Sequence, residues 1–259
     1  MKQIMSLKNP LIQDLVLLHD KKYRDTKQLF LIEGDHLITV AFSQKQLTTI
    51  LIDEKYYNKF DKLLKDCYGV DIIVINEMII KKLSQNKSPQ PLIGLCTMKK
   101  ANTHLTTNNI IMIDTIQDPG NLGNILRSAV AFNFSEIYLS QGSVDLYNHK
   151  VISASQGAIF YSNVYYEEFE QLLIKVKTKQ YKIYGTFLHE PNTTNLNKIT
   201  FSGKTALLFG NEGQGINDKY KIYIDTNMII KTTSNVESLN LATSIAIVIY
   251  CLFVSNILK

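Results

Sequence analysis

Short apolar strands alternating with helical stretches, interrupted once by a polar run and then resumed, constrain this chain more than any other feature. After a helical opening segment, LFLIEG, TTILID, DIIVIN and PLIGLCTM read as buried strands, separated by helix-like stretches at 35–42, 54–67 and 77–84. The run K-K-A-N-T-H-L-T-T-N-N, Lys99 to Asn109, has no apolar periodicity and predicts a linker. From Ile110 the alternation restarts with IIMIDTI, EIYLS, NVYY, YKIYGTFL, TALLFG and NMIIKT. Strands that alternate with helices predict an α/β fold with a mainly parallel second sheet and ligands at the carboxyl ends of its strands. With 259 residues, the chain has room for two domains, expected at 1–98 and 108–259 with a linker at 99–107.

The chain closes on an apolar helix. Ser234 followed by Glu237 makes a capping box, which predicts a helix from Val236 to about Asn256 with Ser238, Leu239 and Asn240 in its first two turns. From Ile245 to Val254 this helix is apolar on every face. Such a run falls well short of the roughly 20 residues a bilayer requires, so it predicts a buried core helix or a subunit interface.

Composition excludes several classes. A hydrophobic fraction of 45% with 20% charged residues is that of an ordinary globular protein. Lys8, Asn9 and Pro10 break the opening segment before it reaches signal-peptide length, so no export is expected. Cys67, Cys96 and Cys251 form no C-x-x-C pair, and His19, His36, His104, His149 and His189 are as dispersed. That pattern predicts no disulfide framework and no metal site, and it fits a reducing cytoplasm.

Charge is unevenly spread. Residues 1–107 hold 16 Lys and Arg against 11 Asp and Glu, whereas the remainder holds 12 against 12. The excess lies where an electrostatic partner such as RNA phosphate would be held, although a solvated lysine-rich surface gives the same count. Of 28 basic residues only Arg24 and Arg127 are arginine. In a chain that writes lysine by default, a retained arginine suggests a need for its planar fork, or chance survival.

Three segments carry candidate chemistry. In D-P-G-N-L-G-N-I-L-R-S-A, Asp118 to Ala129, Pro119 and Gly120 suit a tight turn and Asn121 a helix cap. Gly123 and Arg127, four apart, share a helical face beside which a phosphate or sugar could sit; a surface cation is the plainer reading of Arg127. The strand TALLFG then runs into N-E-G-Q-G-I, placing Gly210, Asn211, Glu212, Gly213 and Gly215 at a strand's carboxyl end, where glycines let backbone approach a ligand. Neither a P-loop nor a dinucleotide fingerprint is present. The third segment is I-I-K-T-T-S-N-V-E-S-L-N-L-A, Ile229 to Ala242.

Taken in order, N-x-G-x-x-x-R, L-F-G-N-E-G-Q-G and V-E-S-L-N before an apolar terminal helix resemble the three motifs of the SpoU branch of the SPOUT RNA methyltransferases, across Ile110 to Lys259. S-L-K-N-P, K-K-Y-R-D and F-L-I-E-G-D-H-L in the first part resemble the ribosomal-protein-like substrate-binding domain that precedes such catalytic domains. The resemblance implies transfer of a methyl group from S-adenosylmethionine to a ribose 2′-hydroxyl of ribosomal or transfer RNA. It also implies a homodimer and a trefoil knot near the C-terminus, which periodicity could not suggest because unknotted connections are the default. Gly210, Ile230 and Leu239 match the cofactor-holding positions; Asn121, Arg127, Glu212, Ser238 and Asn240 match the polar catalytic cluster. Two departures stand out: Ile230-Lys231-Thr232 where the family usually has I-P-M, and Ala131-Phe132-Asn133 where it commonly has A-F-G.

A guanidinium pKa above about 12 makes neutral arginine expensive. The role expected of Arg127 is therefore to grip RNA phosphate and stabilise the developing alkoxide, with Asn121, Glu212 and Ser238 orienting the cluster. An RNA-binding or ribosome-assembly factor that keeps the fold without catalysis is the alternative from another class.

Overall fold

A computed structural model describes residues 2–99, 104–188 and 190–257. Residues 100–103 of the expected linker, and His189, lie outside the described residues. The chain divides into two compact units, one within 1–100 and 147–160, the other within 101–146 and 161–259.

The first unit contains β1 (Lys2–Gln3), α1 (Pro10–Leu17), α2 (Lys21–Lys27), β2 (Leu29–Glu33), α3 (Asp35–Ser43), β3 (Leu47–Asp53), α4 (Asp61–Asp66), β4 (Asp71–Ile75), α5 (Glu77–Leu83) and β5 (Leu92–Thr97). Its sheet runs β1-β4-β3-β5-β2, parallel across β1, β4 and β3 and antiparallel where β5 joins. Side-chain caps set the helix starts: Asn9 accepts from the Leu11 amide, Asp20 from Tyr23 and Asn76 from Ile79. Only the end of the expected 54–67 helix is α-helical, because two 3-10 turns occupy Glu54–Tyr56 and Asn58–Phe60. Arg24 is buried, and its guanidinium donates to the carbonyls of Leu18 and His19 at 2.8 Å each, fastening the turn between α1 and α2.

The second unit holds β6 (Asn109–Ile113), α6 (Pro119–Ala131) and β7 (Glu136–Ser140) before the chain gives up α7 (His149–Ser155) to the first unit. There α7 packs on β2, where the fully buried Phe30 meets the Tyr147 and Phe160 rings at 4.6 and 6.0 Å. The second unit then resumes with β8 (Asn163–Glu167), α8 (Phe169–Thr178), β9 (Lys182–Thr186), β10 (Thr194–Asn195), β11 (Thr205–Phe209), β12 (Thr226–Ile229) and α9 (Leu241–Ile257). Its seven strands lie in the order β10-β12-β9-β11-β6-β7-β8, every pairing parallel. Both faces of such a sheet are covered, which is why β6, β7 and β11 read as near-continuous apolar runs.

From β6 the chain steps outward to β7 and β8, then returns on the other side through β9, β11 and β12. The order therefore reverses between β6 and β11, and a crevice opens beyond their carboxyl ends. Among the described residues no helix is long and apolar enough to cross a membrane. Cys67 and Cys96 are buried and Cys251 half-buried; all are free thiols, and burial raises the pKa of each.

Candidate active site at the carboxyl ends of the second sheet

Strands β6 and β11 end in register, Phe209 opposite Ile113, and the Asp114 amide donates to the Phe209 carbonyl at 2.9 Å. The two chains leave the sheet side by side. Beyond β11, Asn211 and Gly215 exchange backbone hydrogen bonds of 3.0 Å in both directions, closing a small loop on itself. The Asn211 Oδ1 accepts from the amides of Gly213 and Gln214 at 2.9 and 3.2 Å. Gly215 has φ +71°, and a Cβ on Gly210 would stand 1.9 Å from the Gly215 carbonyl carbon. Gly210 is thus required because the loop folds back onto it, a demand the sequence pattern alone could not separate from approach to a ligand.

Beyond β6, the helix begins three residues earlier than expected. Pro119 is its first residue and Asp118 its cap, accepting from the Asn121 amide at 2.6 Å, so Pro119-Gly120 is not a separate turn and Asn121 is not the cap. Proline suits a first helical position because its missing N–H is unneeded there. The Asn121 side chain is thereby free, and it bonds in two directions. Its Nδ2 donates to Glu212 Oε1 at 3.2 Å, and its Oδ1 accepts from Asn240 Nδ2 at 2.9 Å.

The third segment also differs from expectation. Helix α9 begins at Leu241, and the Ser234 and Glu237 pair opens no helix. Residues 231–238 are exposed, so a helix there would have no apolar face to bury, and short helices gain little stability without one. Asn240 takes the capping role: its Oδ1 accepts from Thr243 N at 3.3 Å and its carbonyl from Ser244 N at 2.9 Å. Ser238, Leu239 and Asn240 accordingly lie in the approach to α9.

A cavity of about 560 Å³ opens between this approach, the Gly210–Ile216 loop and the end of β9. Gly210, Ile230 and Leu239 line it, together with Glu212, Ser238 and Asn240. At the departing tripeptide, Thr232 lines the cavity and Lys231 does not. On its wall Lys221 bonds Asp218, at 2.8 Å, and Glu190, and these two carboxylates raise the lysine pKa. Among the described residues no group of three or more His, Cys, Asp and Glu is placed to hold a metal ion.

The structure thus brings Asn121, Glu212 and Asn240 into one hydrogen-bonded chain and sets Ser238 beside the same cavity. Arg127 stands apart. Six residues past Asn121, it is about 9 Å further along the helix axis, exposed, with no hydrogen bond or ion pair among the described residues. Gly123 is buried where Arg127 is exposed, so the shared face is not an open one. Beneath the loops lie Asp114, Thr115, Ser140 and Asn211, which sequence reasoning did not assign to the site. Asn211 stood within the glycine-rich motif, whereas nothing in the sequence marks the other three.

The SpoU rRNA Methylase family profile matches residues 108–250, and that of the MRM3-like substrate binding domain matches residues 9–94. The chain is 31% identical over 251 residues to the 23S rRNA (guanosine(2553)-2′-O)-methyltransferase RlmP of Bacillus subtilis, covering 96% of this chain and 98% of that one. A crystal structure of an RNA 2′-O ribose methyltransferase superimposes with a TM-score of 0.84 at 26% identity, over 98% of this chain and 99% of that one. An AdoMet-bound rRNA methyltransferase from Sinorhizobium meliloti has the same fold, with a TM-score of 0.83 at 24% identity over 96% of each chain.

Proposed function

The chain belongs to the SpoU rRNA methylase family, and from that premise we propose that it transfers the methyl group of S-adenosylmethionine to a ribose 2′-hydroxyl of ribosomal RNA. The observation that carries this reading is the Glu212–Asn121–Asn240 chain, which ties three distant segments together beside the cavity lined by Gly210, Ile230 and Leu239. The cavity fits the cofactor in size, since small-molecule sites run from about 300 to 1,000 Å³. It fits in charge as well: Glu190, Glu212 and Asp218 against the single Lys221 suit a cationic sulfonium. Gly210, Ile230 and Leu239 would hold the cofactor, which supplies an electrophilic methyl group.

A ribose hydroxyl is a poor nucleophile and must be aligned and relieved of its proton. Glu212 fixes the Asn121 amide, Asn121 fixes Asn240, and Ser238 is exposed beside them to meet the ribose. Arg127, with no partner among the described residues, offers its fork to RNA phosphate and to the developing alkoxide. The proton leaves to phosphate or water.

Residues 1–98 would hold the RNA, 99–107 link, and 108–259 carry the chemistry, in the cytoplasm. We also infer a homodimer and a trefoil knot near the C-terminus. Half-exposed Phe132, Tyr250 and Phe253, whose rings lie 5.4 to 5.6 Å apart across α6 and α9, support an interface there; a monomer by light scattering would remove it. Calorimetry should show binding of S-adenosylmethionine and of its demethylated product. Ribose-methylation mapping of a deletion strain should show one ribosomal site lost. No cofactor binding at millimolar concentration would leave an RNA-binding assembly factor, and a lost site in transfer RNA would move the substrate.

A further inference from the structure

Thr115 is held at φ +55°, a left-handed conformation that β-branched residues avoid. Seven other non-glycine residues have positive φ, namely Gln28, Lys45, Leu105, Asn133, Gln156, Gln180 and Asn192; Thr115 alone among the described residues is β-branched. Such strain persists only where surrounding structure over-determines it. Here every polar group of the residue is engaged. The Thr115 amide donates to Ser140 Oγ at 2.7 Å, and its hydroxyl donates to Asp114 Oδ1 at 2.9 Å. Ser140 Oγ donates to the same carboxylate oxygen at 3.2 Å, and both Asp114 and Ser140 are buried. The Thr115 carbonyl accepts from Asn211 Nδ2 at 2.8 Å.

The other end of that amide, Asn211 Oδ1, holds the Gly213 and Gln214 N–H groups. One side chain therefore joins the segment before α6 to the glycine-rich loop 96 residues later. Were backbone conformation the only demand at 115, glycine or asparagine would meet it without strain. Threonine adds the hydroxyl that reaches Asp114, and so locks the carbonyl toward Asn211.

We propose that Asp114, Thr115, Ser140 and Asn211 form a positioning strut that sets the glycine-rich loop, and with it Glu212 and the wall of the cofactor cavity. The assignment rests on the methyl-transfer reading above for its consequence, but not for its geometry. Asn211 lines the cavity beside Glu212, whereas Asp114, Thr115 and Ser140 do not reach it and act through Asn211 and the loop backbone.

Three variants test the strut. Asn211→Asp keeps the acceptor for the two loop amides but sets a carboxylate oxygen against the Thr115 carbonyl. Thr115→Gly releases the strain and removes the hydroxyl, and Thr115→Ser keeps the hydroxyl without the methyl group. By calorimetry with S-adenosylmethionine and its demethylated product, the aspartate and glycine variants should each bind about tenfold more weakly. The serine variant should stay within about twofold. The glycine variant should do so with an unchanged or raised denaturation midpoint, which a merely structural role would lower, and its Gly213 and Gln214 amides should exchange hydrogen about tenfold faster. If both weakened variants fold and bind the cofactor as wild type does, the strut is overturned. Should wild type bind neither ligand, the methyl-transfer reading fails, and amide exchange in the glycine variant alone decides: unaltered protection overturns the strut, and faster exchange sustains it.

Discussion

The two arginines of this chain occupy opposite circumstances. Arg24 on α2 is buried and committed to the Leu18 and His19 carbonyls, so its fork closes a turn. Arg127 on α6 is exposed and bonds nothing among the described residues, although Asn121, on the same helix, sits in a dense polar chain. Retention of arginine in a lysine-rich sequence thus marks a geometric need without saying which kind. Arg24 meets that need inside the fold, and Arg127 leaves it open to a partner with planar acceptors.

Substitutions that affect only one side of this contrast should have separable effects. Arg127→Lys should slow single-turnover methylation of ribosomal RNA by about a hundred- to a thousandfold, the roughly 3 to 4 kcal/mol of one well-placed electrostatic contact. Its urea denaturation and cofactor affinity should match wild type; a near-normal rate would return Arg127 to a surface cation. Arg24→Ala should invert the pattern. Leaving two carbonyls of the α1–α2 turn unpaired should cost about 2 to 4 kcal/mol in urea denaturation, with cofactor affinity unchanged in the folded protein. The smallest effect serves as the control: Lys22→Arg, exposed and two residues from Arg24, should shift stability by less than about 0.5 kcal/mol. A large shift there would mean that the arginine and lysine choice is not about geometry.

Much of this architecture could be read from residues. The longer strands appear where apolar runs predict them, since buried strands leave an unbroken signal, whereas the polar two-residue strands β1 and β10 gave none. The three motif segments meet through Asn121, Glu212 and Asn240, while Arg127 stands apart from them. What could not be read was decided by competition between neighbours. Asp118, Asn121, Ser234 and Asn240 are all good caps in isolation; Pro119 at the first helical position goes with Asp118, and the apolar residues that α9 buries after the exposed 231–238 go with Asn240. The strand order β9-β11-β6-β7 depends on pairings between strands far apart in sequence, which periodicity does not encode. The strain at Thr115 is invisible for the same reason, since its justification lies in Ser140 and Asn211.

Transfer of α7 to the first unit has a consequence for synthesis. Strand β2 is an edge strand of its sheet and its Phe30 packs against Tyr147 and Phe160, so a nascent chain released only to residue 100 presents that flank uncovered. Translation must proceed some 60 residues further before the covering segment emerges, a delay of roughly 3 to 12 seconds at bacterial-scale elongation rates of about 5–20 residues per second. During that interval β6, α6 and β7 have already left the ribosome. The first unit to be started is therefore completed only after part of the second has been made, and the pace of decoding between codons 100 and 160 sets how long its hydrophobic flank stays open to chaperones.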